Sequence, residues 1–187
     1  LLVENRKVEN YVDMALYYAR MDAVYKDYMI AETNLQEVAQ QVLLQNKYYL
    51  IQSHVKAEVA CPDTVYSDKK WIAFILNQLI QNSVKYGRSE GTHIQIVTKK
   101  TKRGVLLRVK DDGIGIPKEE IPRIFEKGFT GTNGRNRERS TGMGLYLCRK
   151  LCDKLNIEIR AESAEGKGTE IILMFPVSDY LTGYRET

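Results

Sequence analysis

Histidine is nearly missing from this chain. His54 and His93 are its only two, and cysteine is scarcely commoner, with Cys61, Cys148 and Cys152. Three thiols do not build a disulfide framework, so the usage points to a reducing compartment. Cys148 and Cys152 stand four apart and would share a helix face, but two histidines are too few to complete a metal site around them. They read as core thiols, since free Cys packs as a small hydrophobe. No apolar run approaches the ~20 residues of a membrane span, and no signal peptide is recognisable. The net charge of +4 is mild, with Lys and Arg spread widely apart from Arg135, Arg137 and Arg139. That gives no sign of a nucleic-acid binder. Internal repeats and low-complexity segments are absent as well.

What is present is 187 residues, 43% hydrophobic and 28% charged, enough chain for one sizeable core with or without an appendage. Residues 1–29 contain neither Gly nor Pro. They place Tyr11, Met14, Tyr18, Met21, Tyr25 and Tyr28 at alternating spacings of 3 and 4, a heptad-like seam. Val8, Val12, Ala15 and Ala19 widen the stripe. A helix apolar over so wide a face needs a partner helix. We read residues 1–29 as a stalk helix, with an ordinary core helix as the alternative. The chain starts at Leu1 inside this pattern, as a piece of a longer protein would.

Residues 30–178 read as one domain and 179–187 as a tail. A short strand or connector over Ile30 to Asn34 leads into a helix from about Leu35 to Tyr49, with Asn34 and Glu37 in capping-box position. His54 to Ala60 alternates as a strand, and Thr64 to Ser67 forms a short second one. Ser67 or Asp68 caps a helix from Lys69 to Tyr86, whose Trp71, Ile72, Ile75, Leu76, Leu79 and Ile80 form a buried face. Two strands with a hairpin between them follow, with Ile94 and Ile96 alternating on the first and Leu106 to Val109 on the second. A helix from Gly144 to Leu155 ends at Asn156, and a last hairpin joins Ile157–Ala161 to Thr169–Phe175. Two hairpins with helices on one side predict an α+β two-layer sandwich.

The stretch Val109 to Tyr146 stands apart. It opens with Asp111-Asp112-Gly113-Ile114-Gly115, closes with Thr141-Gly142-Met143-Gly144-Leu145, and is polar between. A long loop inside a compact domain is usually a functional cover or disordered, and glycines let the backbone approach a ligand closely. Asn82, Lys85 and Tyr86 share one helix face at i, i+3 and i+4. An Asn oxygen there suits Mg²⁺, which takes oxygen ligands and shares phosphates. Asp111 at a strand end can accept from an exocyclic amine, and the helix opened by Gly142 and Gly144 can face an anion. Each feature alone is a common turn or helix end.

Together, in this order, they resemble the catalytic ATP-binding domain of sensor histidine kinases, in the wider group that includes gyrase, Hsp90 and MutL. Asn77 to Tyr86 looks like the N box and Asp111 to Ile116 like the first glycine box. Arg123 to Phe129 looks like the F box, Thr141 to Leu145 like the second glycine box, and Gly166 to Thr169 like the last. The resemblance implies a Bergerat-type fold, with a mixed β-sheet and helices on one face, over roughly residues 30–176. It also implies ATP and Mg²⁺ as ligands, with Asn82 on the metal and Lys85 and Tyr86 near the phosphates and nucleotide. Asp111 would bind the adenine amino group, with Gly113, Gly115 and Ile116 beside the base. Phe125 and Phe129 would anchor the cover, and Thr141, Gly142, Met143, Gly144, Leu145 and Thr169 would complete the pocket. Leu16 to Arg20, Phe125 to Gly131 and Leu145 to Cys148 look like the small membrane kinases that work beside peptide-antibiotic ABC exporters. That implies a cytoplasmic domain of a bacterial plasma-membrane protein, a homodimer through stalk helices, a response regulator as partner, an exporter as a further one, and no nucleic acid.

The group splits into hydrolases and kinases. Hydrolases carry a Glu four residues before the metal-binding Asn; here it is Gln78, and an amide has no basic site near neutral pH. Phosphoryl transfer rests on positioning and charge stabilisation, so a kinase is compatible with Gln78. The family's acceptor histidine is followed by an acidic residue on a stalk helix. His54 precedes Val55 and His93 precedes Ile94, so neither fits and the acceptor is expected on a helix outside this piece. A serine kinase or anti-sigma factor of the same fold, and a non-catalytic nucleotide-binding module, remain as alternatives.

Overall fold

The computed structural model describes residues 28–132 and 141–177, together with Val12 and Ala15. Its elements are β1 (Ala31–Asn34), α1 (Leu35–Gln45), α2 (Lys47–Gln52), β2 (Val55–Ala60), β3 (Thr64–Ser67), α3 (Lys69–Lys85), β4 (Thr92–Thr101) and β5 (Gly104–Asp111). A 3₁₀ turn (Ile121–Arg123), α4 (Gly144–Lys154), β6 (Glu158–Ala164) and β7 (Gly168–Pro176) complete them. The stalk helix expected over 1–29 lies outside the described residues except for Val12, Ala15, Tyr28 and Met29. The tail and the three arginines of the cover also lie outside them.

The main sheet has the order β2-β4-β5-β7-β6, and β1 and β3 form a separate ribbon. β2 runs parallel to β4; a parallel pair needs a crossover, which β3 and α3 supply. The remaining neighbours are antiparallel, and β5 meets β7 with Asp111 opposite Thr169. Alternation along the strands separates the two faces. Ile94, Ile96, Leu107, Val109, Ile159, Ile171, Leu173 and Phe175 are buried. Gln95, Lys99, Lys110, Glu158, Arg160 and Glu162 are exposed on the other side. Helix α3 packs between α1 and α4 over the apolar face. The expected α+β two-layer sandwich is the fold observed.

The predicted apolar face of α3 is buried throughout, and Phe74, Gln78 and Ser83 are buried as well. A helix flanked on two sides and seated on a sheet buries more than one stripe. Each large apolar side chain so covered contributes about 1.5–3 kcal/mol. The three thiols are core groups too. Burial pushes Cys61 up to about 11 and Cys152 up to about 12, and raises Cys148 as well. They therefore pack as neutral thiols.

The helix expected over Leu35 to Tyr49 is two helices. Asn46, only 2% exposed, leaves the helical region with φ −95° and ψ 5°. Its amide donates to Val42 O at 2.9 Å and to Asn77 Oδ1 at 2.8 Å. A buried amide must find partners, and this one turns the chain while tying α1 to α3. β2 starts at Val55 because His54 has a positive φ of 53°. β4 runs on to Thr101, so the expected Lys99–Gly104 loop narrows to a tight turn closed by Thr101 opposite Gly104.

Asp68 joins the described start of the chain to α3. Its Oδ1 accepts from the N–H groups of Lys70 and Trp71 at 2.9 and 3.3 Å, the N-cap arrangement. Its Oδ2 accepts from Met29 N at 2.8 Å, and the Tyr28 ring lies 6.0 Å from that of Trp71. Among the described residues no helix is long and apolar enough to cross a membrane. Replacing Asp68 with Ala removes the cap and should lower stability by about 1–2 kcal/mol. Urea unfolding of the variant beside wild type measures the loss, and Asp68→Asn, which keeps the capping oxygen, should recover most of it.

Candidate functional site

The α3 C-terminus, the turn after β5 and the turn before β7 converge on one buried carboxylate. Asp111 is 9% exposed. Ser83 Oγ donates to its Oδ2 at 2.8 Å, and the N–H groups of Gly113 and Thr169 donate to its Oδ1 at 3.0 and 3.2 Å. Burial raises the Asp111 pKa above the ordinary carboxylate value. The Ser83 hydroxyl and the two N–H donors pull against that rise, and neighbouring Asp112 adds to it. Three donors around a buried carboxylate leave it one acceptor position. That position suits a neutral donor such as an amine.

A backbone lattice holds the three segments together. Ile114 N donates to Tyr86 O at 3.0 Å, and Gly166 N to Ile114 O at 2.7 Å. Arg88 spans the same join: Nε donates to Asp112 O at 2.7 Å and Nη2 to Gly166 O. Ile116 N donates to Ser163 Oγ at 2.9 Å, and that hydroxyl also meets Gly168 O and Thr169 Oγ1. Gly115, at φ 72°, leaves no room for a Cβ against the carbonyl of Ala164. The loop after the carboxylate can therefore pass close to the last hairpin only because this residue is glycine.

The remaining boxes meet at the start of α4. Gly142 has φ 65°, and a Cβ on it would collide with the Gly128 backbone. Gly128 N donates to Gly142 O at 3.0 Å, so the expected F box and second glycine box are in direct contact. The helix itself begins at Gly144, with Met143 in the cap position and Met143 N donating to Thr141 Oγ1 at 3.3 Å. Leu145 and Phe125 are half-buried against the core. The Arg149 guanidinium of α4 lies 4.7 Å over the Phe125 ring, and Arg123 lies 4.5 Å over Phe129. A Cβ on Gly144 would come within 2.8 Å of Gln78 Oε1, so the Gln78 amide stands at the mouth of α4.

Asn82 and Lys85 are half-buried on the last turn of α3, beside Ser83, and half-buried Tyr86 caps the helix, with Lys85 Nζ 5.7 Å from its ring. The other N-box asparagine, Asn77, faces away and binds Asn46. His93 Nε2 meets Glu58 Oε1 at 3.2 Å, on the sheet face opposite the helices, and His54 is exposed before β2. Sequence reasoning missed Ser83 and Arg88. Their partners lie on the β5 and β7 turns, and no spacing rule links residues so far apart in the chain.

A family model described as histidine kinase-, DNA gyrase B- and HSP90-like ATPase matches residues 67–179. The chain belongs to this family. Sensor histidine kinase YxdK of Bacillus subtilis (strain 168) is 34% identical over 174 residues, 92% of this chain and 54% of that protein. Sensor protein kinase GraS of Staphylococcus aureus (strain JH1) is 36% identical over 184 residues, 96% of this chain and 52% of that protein. The chain spans about half the length of these curated relatives. Among solved structures, the catalytic domain of histidine kinase ThkA superposes with TM-score 0.68 at 26% identity, over 79% of this chain and 97% of that one. ThkA in complex with response regulator protein TrrA gives TM-score 0.69 at 23% identity, over 96% of this chain and 50% of that one. Residues 67–179 are thus a nucleotide-binding domain of the histidine kinase kind.

A raised folded pKa means that the native state binds the proton more tightly than the unfolded chain. The ionised carboxylate therefore costs stability above its folded pKa, and the cost vanishes below the unfolded value. Asp111→Asn keeps the oxygen for Gly113 and Thr169, and Ser83 can turn to accept from the new amide. Without nucleotide, the Asn variant should melt at or above the wild-type temperature at neutral pH. The gap should close as pH falls through the folded pKa of Asp111, as read by calorimetric melts across pH.

Proposed function

We propose that this chain binds Mg–ATP between α3, the two glycine turns and α4, and presents the γ-phosphate for transfer to a histidine. The carrying observation is Asp111, a buried carboxylate with three internal donors and one acceptor position left for the adenine amino group. Gly113, Gly115 and Ile116 line the base side with Thr169. Thr141, Gly142, Met143, Gly144 and Leu145 form the phosphate side, where the first N–H groups of α4 favour an anion. Lys85 and Tyr86 flank the nucleotide, and Phe125 and Phe129 anchor the cover through their arginine contacts.

Asn82 is the proposed Mg²⁺ ligand. Its neutral oxygen suits a hard cation, and it sits half-exposed next to Ser83 on the turn that meets Asp111. Among the described residues no group of three or more His, Cys, Asp or Glu could hold a metal. An ion at Asn82 would take its remaining ligands from phosphate and water. Such an ion would neutralise charge on the phosphates.

Transfer is favoured over hydrolysis by Gln78, whose amide faces the start of α4 where the hydrolases of this group hold a basic carboxylate. The acceptor histidine belongs to a stalk helix that is not among these residues, since His54 and His93 point elsewhere. Residues 1–29 act as the second stalk helix and pair the chain into a dimer, 30–178 form the catalytic domain, and 179–187 trail it. A response regulator receives the phosphate, and a peptide exporter beside a membrane-anchored whole protein is a further proposed partner.

The test supplies the acceptor helix and labelled ATP. Acid-labile phosphate on its histidine is expected; binding of ATP without transfer sinks the kinase reading. Three variants examine the pocket by calorimetry. Asp111→Asn should weaken ATP by about tenfold or more. Asn82→Ala should abolish the dependence of affinity on Mg²⁺. Gly142→Ala should push the Gly128 segment off α4 and weaken ATP while the protein still melts cooperatively.

A further inference from the structure

We propose that Ser83 is the positioning residue that sets base specificity, holding Asp111 as a hydrogen-bond acceptor so that the pocket selects a 6-amino purine over a 6-oxo purine. The proposal rests on the ATP-site reading above, where Ser83 enters only as one of the three donors to Asp111.

The geometry assigns the lone pairs. Oδ1 of Asp111 accepts two backbone N–H bonds, from Gly113 and Thr169, so its capacity is filled. Oδ2 accepts the Ser83 hydroxyl at 2.8 Å, in a buried contact, and keeps one lone pair. A donor reaching that lone pair is welcome; an acceptor is repelled. An adenine base offers an amino group there, and a hypoxanthine or guanine base offers a carbonyl oxygen.

Protonation would reverse this. With Oδ1 filled, the proton would sit on Oδ2, and the resulting O–H would donate to a 6-oxo base. The Ser83 hydroxyl opposes that state, because as a donor it favours the ionised carboxylate. Without it, Asp111 keeps its burial and two backbone donors and loses its only side-chain donor among the described residues. Among the described residues, the charged groups near it are Asp112, Arg88 and Lys85. Asp112 is the neighbouring carboxylate, its Oδ1 occupied by His93 N at 2.8 Å. The Arg88 guanidinium binds the carbonyls of Asp112 and Gly166. Lys85 is two residues along α3 from Ser83. The facing residues of β4 and β7, Ile94 and Thr169, carry no charge.

The experiment measures ATP and ITP affinities by calorimetry for this chain as wild type, Ser83→Ala, Ser83→Cys and Ser83→Thr, between about pH 8 and about pH 5. Wild type should prefer ATP, with a ratio that holds until Asp111 protonates. Ser83→Ala should lose about tenfold or more in ATP affinity at neutral pH, and its ATP-to-ITP ratio should begin to fall at a higher pH than that of wild type. Ser83→Thr, which keeps the hydroxyl, should restore the ratio and its profile. If Ser83→Ala does not fold, Ser83→Cys carries the test, with a ratio between those of hydroxyl and no donor. A Ser83→Ala or Ser83→Cys protein with the wild-type ratio and pH profile overturns the assignment while leaving the pocket intact. Wild-type protein that binds neither nucleotide overturns the pocket reading and the Ser83 assignment with it.

Discussion

Everything around the site depends on keeping one carboxylate charged inside the protein. Burial alone would drive Asp111 toward its neutral form, and its raised pKa reflects that pressure. Three donors resist it, and each comes from a different segment: Ser83 from α3, Gly113 from the turn after β5, Thr169 from β7. A buried carboxylate left with fewer partners would cost several kcal/mol. The need to satisfy Asp111 therefore fixes how α3 and the two turns sit against one another.

Helix α3 is where that demand meets the core. Its apolar residues seat it on the sheet between α1 and α4, and its polar residues each go to a separate task. Asn77 holds the break at Asn46, Gln78 stands at the start of α4, and Ser83 binds Asp111. One rigid helix thus sets the distance from Asp111 to the start of α4. Arg88, just past the helix, braces both turns through their carbonyls. Among the described residues, the Gly128–Gly142 contact joins the two loop segments before α4, and Arg149 and Arg123 lie over Phe125 and Phe129.

Much of this was legible in the residues. The apolar period of α3, the alternation of β4 and β7, the Asp68 cap and the order of the five boxes all express local chemistry. Periodicity and turn residues report such chemistry faithfully. The break at Asn46 was not legible, because a buried amide that binds a residue on another helix looks like any helical Asn. The roles of the two N-box asparagines could not be told apart by spacing either. Only packing sends Asn77 to α1 and leaves Asn82 beside the pocket.

The sequence by itself determined the two-layer fold, the family and the absence of a basic carboxylate at Gln78, because each is carried by residue type at short range. The tertiary structure alone decided which groups surround Asp111. Ser83 lies 28 residues from it and Thr169 lies 58 residues from it. Contacts at that separation depend on where whole elements pack, and no local pattern encodes them.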